Sequence, residues 1–131
     1  GPIGGDTTTP YHYNAYTFAT NTASTQCITV TLSSACSGNN AVFAEVYLDS
    51  FNPASICQNY LGDIGASPND GAPSTELFSF NVPAGHSFVV VVNETTSGAG
   101  CSGYTLNVGC APAAAPTAVA SATQPERPPH P

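Results

Sequence analysis

Lysine is missing from this 131-residue chain, as are methionine and tryptophan, and the single basic residue is Arg127. Against it stand eight acids, giving a formal net charge of −7. A chain with one cation cannot neutralise a run of phosphates, which excludes nucleic-acid binding. Anionic membrane surfaces would repel it as well. Charged residues make up only 7% of the chain, against about 25% in an ordinary globular domain. Long apolar runs are also lacking: the longest is Phe88-Val89-Val90-Val91-Val92, far short of the ~20 residues of a membrane-spanning helix, so no membrane insertion is expected.

What is present argues for a folded domain. Hydrophobic residues reach 41%, enough apolar material for a core and too much for an acidic disordered segment. Serine and threonine together supply 28 residues, so hydroxyls rather than charges provide most of the polar surface. Position 1 is glycine, a residue expected at a new N-terminus after removal of a signal peptide. With five cysteines, that predicts a secreted protein, extracellular or at a cell surface.

Composition shifts at Cys110. Residues 111–131 hold six prolines and no aromatic residue, predicting an extended, polyproline-like tail without a regular ladder. Glu126 and Arg127 cancel within it, so all the net charge sits in residues 1–110, which carry seven acids and no base. Three segments are expected: an N-terminal extension (1–19), a β-domain (20–110) and the tail (111–131).

Helical periodicity is missing from the first 110 residues, and short strand patterns recur. Tyr11–Thr20 is the first. Cys27–Leu32 alternates, with Ile28, Val30 and Leu32 on one face and Thr29 and Thr31 on the other. Val42–Leu48 follows, then a weaker Ile56–Ile64 broken by Gly62. Leu77–Val82 puts Phe78, Phe80 and Val82 on one face, and Tyr104–Val108 alternates again. The continuous apolar run from Phe88 to Val92 suits a strand buried on both faces. Six good strands and one weak one at short spacing predict an all-β, antiparallel Ig-like or jelly-roll sandwich of about seven strands. The first strand is unusual, carrying aromatic residues on both faces. Either its wet face bears tyrosines, or both faces are gripped by another subunit.

Little chemistry is on offer. No nucleophile elbow, HExxH, P-loop or dinucleotide fingerprint occurs, so neither a catalytic site nor a cofactor is expected. His86 follows the Pro83-Ala84-Gly85 turn and opens a strand, an ordinary place for an exposed histidine. CxxC pairs are lacking, which argues against structural zinc. Asp49, Asn52, Asp63, Asn69 and Asp70 are oxygen donors in or near loops. They match no calcium-loop spacing, and turn chemistry accounts for them, so no metal site is assigned.

Five cysteines cannot all pair within one chain. Parity sets Cys27 opposite the Ile28 face and Cys101 opposite the Tyr104 face, so the two would meet if their strands were neighbours. Cys36 and Cys57 would then join two loops, leaving Cys110 at the base of the tail, although sequence does not fix connectivity. Asn93-Glu94-Thr95 fits the N-glycosylation pattern. Thr117, Ser121 and Thr123, set among prolines and alanines, fit O-glycosylated stalks. Glycans are thus candidate partners.

Several stretches together resemble a secreted bacterial β-sandwich module. They are Tyr13–Phe18, Cys27–Val30, Tyr47-Leu48-Asp49-Ser50-Phe51-Asn52-Pro53, Cys57–Gly65, Phe78–Gly85, Phe88–Glu94 and Cys101 leading into Tyr104-Thr105-Leu106. Over residues 13–108 the chain is similar to pre-peptidase C-terminal-like domains, and most similar to the protomers of pilus-like fibrils of environmental bacteria. That resemblance implies an Ig-like domain completed by an N-terminal strand from another protomer. The donor would lie within Tyr11–Phe18, with Tyr11, Tyr13, Tyr16 and Phe18 at the subunit interface, and the partners would be identical subunits in a helical homopolymer. A missing strand leaves unpaired edges that an extended segment can fill, and a head-to-tail contact of this kind extends without closing. The competing expectations are a carbohydrate- or surface-binding adhesion module of a larger secreted protein, or an accessory domain of a secreted hydrolase.

Overall fold

The computed structural model describes residues 11–20, 22–36, 41–65, 74–96, 98–101, 103–110, 118–120 and 126–127. Seven strands form the body: β1 (Tyr11–Ala19), β2 (Gln26–Ser34), β3 (Val42–Leu48), β4 (Tyr60–Asp63), β5 (Ser74–Val82), β6 (Ser87–Glu94) and β7 (Tyr104–Cys110). Two short pieces of the tail, β8 (Ala118–Ala120) and β9 (Glu126–Arg127), add to the sheet edges. One sheet runs β4-β3-β6-β1-β9 and the other β5-β2-β7-β8, with every pairing antiparallel. The protein is an all-β antiparallel sandwich.

Alternation builds the core. Ile28, Val30 and Leu32 of β2 point inward with Leu106 and Val108 of β7. Opposite them stand Val42, Ala44 and Val46 of β3 and Val90 and Val92 of β6. Their partners in parity face out, and Thr29 and Ser33 bond across to Ser79 and Thr75 of β5 at 2.8 Å. The apolar run of β6 is buried on both faces, by the opposite sheet on the inner one and by aromatic side chains on the outer one. Val90 and Val92 enter the main core, while Val89 and Val91 join Tyr47 in a second cluster on the outer face of the sheet. Phe51, from the β3–β4 connection, covers that cluster: its ring centroid lies 4.7 Å from Tyr47 and 5.5 Å from Tyr13.

The weak strand over 56–64 shortens to β4. Residues 52–58 turn instead, with Ser55 N–H donating to Asn52 C=O and Gln58 N–H to Ser55 C=O. Asn59 follows in a left-handed conformation (φ 64°), which asparagine tolerates better than most residues. The tail differs from a ladder-free coil by two small bridges, β8 on β7 and β9 on β1. Both use stretches without proline, which keep the consecutive N–H donors a bridge needs.

The cysteine pairing needs correction. The one disulfide is Cys36–Cys101, with Cα atoms 6.1 Å apart, and neither Cys27–Cys101 nor Cys36–Cys57 forms. Strands β2 and β7 are indeed neighbours, but their register sets Ser34 against Tyr104 and Ile28 against Cys110. Cys101 therefore arrives at the Ser34 end of β2, where Cys36 stands, and Cys27 is a strand length away. Cys27 and Cys57 are exposed and Cys110 is half-buried, all three as thiols.

Candidate assembly site on the first strand

The first strand is the element that both compositional reasoning and resemblance single out. In this chain β1 pairs with β6 of the same molecule through seven register positions, from Tyr13↔Asn93 to Ala19↔Ser87. On its other side, among the described residues, it meets only β9, over Tyr11↔Arg127 and His12↔Glu126. No break separates β1 from the rest of the sandwich at residue 19: it is a full member of the five-stranded sheet.

Its inward face carries His12, Asn14, Tyr16 and Phe18, and each meets a specific partner. Phe18 stacks on Phe88 at 5.3 Å, and Phe88 meets Phe80 edge-on at 5.4 Å, so the strand is tied to both sheets. Tyr16 and Asn14 converge on Tyr104: the two hydroxyls lie 2.7 Å apart, and Asn14 Nδ2 donates to the Tyr104 oxygen at 2.7 Å. Tyr104 is wholly buried; burial and the Tyr16 hydroxyl push its ionisation well above the ordinary tyrosine range.

At the N-terminal end of β1 lies Glu94, with no exposed surface. It shares the inward parity of Phe88, Val90 and Val92, yet is an acid. Its carboxylate is satisfied by main-chain donors. Oε1 accepts from the His12 and Gly98 N–H groups at 2.8 Å each, and Oε2 from the Gly100 N–H at 2.8 Å. His12 Nδ1 lies 3.1 Å from Oε1. Burial alone would raise its pKa, but these hydrogen bonds outweigh that and hold Glu94 below its ordinary value. One carboxylate thus latches the start of β1 to the 95–100 loop.

The other end is held by lighter contacts. Thr20 Oγ1 donates to His86 C=O at 2.9 Å, and Gly85 N–H to Thr22 C=O at 3.1 Å. Gly85 sits at φ 77° in that turn, a conformation an L side chain would strain. A cavity of about 340 Å3 opens here between the end of β1, Ile28, Phe88 and Cys110.

The remaining sequence candidates are not drawn into this site. Asp49 is engaged by His86 Nδ1 at 2.8 Å and by the Ser87 N–H at 3.1 Å; the His86 hydrogen bond holds its pKa below the usual carboxylate range. Asn52 caps the Ala54 N–H, and Asp63 accepts from the Tyr60 hydroxyl and the Gly65 N–H. Asn69 and Asp70 lie outside the described residues. Among the described residues no cluster of three or more His, Cys, Asp or Glu is placed to hold a metal. Asn93 does not stand as a glycan acceptor in the folded chain. It is completely buried and its Nδ2 donates to Glu94 C=O at 2.6 Å, because outward residues of β6 are covered too. Thr117, Ser121 and Thr123 fall outside the described residues.

Sequence reasoning missed the two buried acids, Glu45 and Glu94. The signal for Glu94 was its parity with the inward valines. Glu45 shares the face of Tyr47 and Val91, which an unaided pattern assigns to solvent. No protein-family model matches the chain, and no curated protein is similar to it at a significant level.

Proposed function

We propose that this protein is the structural subunit of an extracellular bacterial pilus-like fibril, assembled when each copy donates β1 to its neighbour. The observation that carries this is the character of the β1 contacts. Among the described residues they are a strong, self-contained set made almost wholly to β6, Tyr104 and the 95–100 loop, with only the two-residue β9 bridge on the far side. Any second copy offers the same partners, so exchange conserves every one of these bonds. Six residues, 20–25, join β1 to β2, and at full extension they reach about 20 Å. The donor and its own body can therefore occupy adjacent subunits. The Cys36–Cys101 disulfide is compatible with an oxidising, extracellular compartment.

The adhesion alternative calls for a platform of exposed tyrosines, and none of the six tyrosines is fully exposed. Electron microscopy of the full chain beside a chain starting at residue 20 tests the proposal. Fibres from the first, none from the second, and a soluble complex when a Tyr11–Ala19 peptide is added to the second are expected. Identical fibres from both chains, or a full chain that stays monomeric at every concentration, overturn strand donation.

A further inference from the structure

The three thiols left by the Cys36–Cys101 bond share one end of the sandwich. That end is built from the 20–25, 49–59 and 83–86 connections and the close of β7. Register and hydrogen bonds bring these together: Ala19↔Ser87, Leu48↔Phe88, Ile28↔Cys110, Gly85 N–H to Thr22 C=O and Asp49 N–H to Ser87 C=O. The disulfide closes the opposite end. Cys27 opens β2 on its outer side, opposite Asn81 of β5, and is exposed. Cys57 is exposed in the turn before β4. Cys110 points inward beside Ile28 and lines the cavity.

Cys27 opens β2 in one sheet and Cys57 lies in the connection between two strands of the other, and the two are not bonded to each other in the folded chain. They face outward from the same end that carries the 20–25 connection. A β1 exchanged with a neighbour must hold that neighbour against this end, since the connection reaches only about 20 Å. Two exposed thiols per chain make the subunit bifunctional, and a head-to-tail bond between unlike cysteines extends indefinitely through one repeated contact.

We propose that this end is a covalent junction between copies of the chain, with Cys27 of one subunit joined to Cys57 of the next; the inference rests on strand donation bringing the copies together. The chemistry is thiol–disulfide exchange with a small disulfide such as oxidised glutathione. One cysteine thiolate attacks it, forms a mixed disulfide and releases one glutathione thiolate. The partner cysteine then attacks the mixed disulfide and releases the second. Two protein thiols are oxidised, one glutathione disulfide is reduced, and the two protons given up by the protein thiols end on the two released glutathione thiolates. Cys110 takes no part, being turned into the cavity.

The test uses the full chain exposed to oxidised glutathione, resolved on non-reducing denaturing gels, with microscopy of the same samples. The expected result is a ladder extending beyond dimers, abolished by a reductant and unaffected by Cys110→Ser. Cys27→Ser and Cys57→Ser alone should each run as monomers. An equal mixture of the two variants should give a dimer band and nothing larger, because each supplies the thiol the other lacks. An intrachain Cys27–Cys57 peptide in the wild-type digest, dimers from either variant alone, or a ladder in the double variant overturns the junction. Fibres from the wild type with no covalent ladder also overturn it while leaving strand donation intact. A ladder without fibres overturns strand donation instead.

Discussion

Replacing Glu94 by glutamine keeps the side-chain volume and removes the charge. The carboxylate accepts three main-chain N–H groups at 2.8 Å from two separate segments, His12 of β1 and Gly98 and Gly100 of the loop. Hydrogen bonds to a charged group are worth about 1.5–3 kcal/mol and neutral ones about 1 kcal/mol. Glutamine can leave its oxygen at the Oε1 position, so the His12 and Gly98 bonds survive in weaker, neutral form. Its NH2 then faces the Gly100 N–H, donor against donor. Because Gly98 is exposed and Gly100 half-buried, water recovers part of the loss. The sum is about 3 kcal/mol, a large share of the roughly 5–15 kcal/mol that holds a domain of this size together. In urea the midpoint should fall by about 2 M at neutral pH.

The same variant isolates a pH dependence. Glu94 is held below the ordinary value of 4.5 in the folded state, so the folded form binds fewer protons than the unfolded one over that interval. Its stabilisation is complete above the unfolded value and is lost as pH falls through the lower, folded value. Asp49 and Asp63 are also depressed, but they titrate in both proteins. The difference between wild type and Glu94→Gln should therefore shrink steadily below about pH 5. A midpoint drop under about 0.5 M, or two stability curves that stay parallel into acid, would refute the role given to this carboxylate.

Other outcomes follow from the same contacts. Converting Cys36 and Cys101 to alanine opens a loop spanning 65 residues of sequence, which should cost about 4 kcal/mol in denaturant unfolding. Phe88→Ala removes the ring that joins Phe18 to Phe80 and should cost about 3–5 kcal/mol; a change under 1 kcal/mol would mean that β1 is not packed there. Tyr104→Phe strands the Asn14 amide and the Tyr16 hydroxyl and should cost about 1–3 kcal/mol. Adding Tyr16→Phe should then cost less than it does in the wild type, a coupling that a double-mutant cycle measures. Finally, Arg127 precedes Pro128 and is the only lysine or arginine, so even the reduced, unfolded chain should survive trypsin, as mass spectrometry of the digest will show.

Strand periodicity made most of the fold legible. β3 spans the apolar alternation from Val42 to Leu48, and the inward faces of β2, β5 and β7 are those the alternation assigns. The run at Phe88–Val92 was readable as doubly buried because nothing polar interrupts it. What sequence did not carry was register. The cysteine pairing failed although β2 and β7 are neighbours, since an antiparallel register decides which ends meet, and parity is silent on that. Ile56–Ile64 looked strand-like through its apolar residues, but Asn52, Ser55 and Asn59 supply local turn bonds that compete with a ladder. The roles of β1 were half-legible: of its two faces, the inward one is packed, while the outer one carries half-buried Tyr11 and Tyr13 beside exposed Ala15, Thr17 and Ala19. The partners Tyr104, Glu94 and Phe51 come from distant segments that only tertiary structure brings near.

The missing positive charges acquire a structural meaning once the acids are followed individually. A domain with seven acids and no base has no side-chain cation except histidine to balance a buried carboxylate. Main-chain N–H groups take that part. Glu94 is surrounded by three of them, Asp49 takes one beside His86, and Asp63 takes one beside the Tyr60 hydroxyl. Such donors exist only when the loops around them are folded, so each of these acids is balanced by local structure rather than by a mobile side chain. The arrangement ties the charge of the domain to the integrity of its connections, and at Glu94 it ties that charge to β1. A strand held by a carboxylate through its own N–H needs no particular side chain at that position, only a strand in register. Under the proposed strand donation, a β1 from a neighbouring copy would meet that requirement as well.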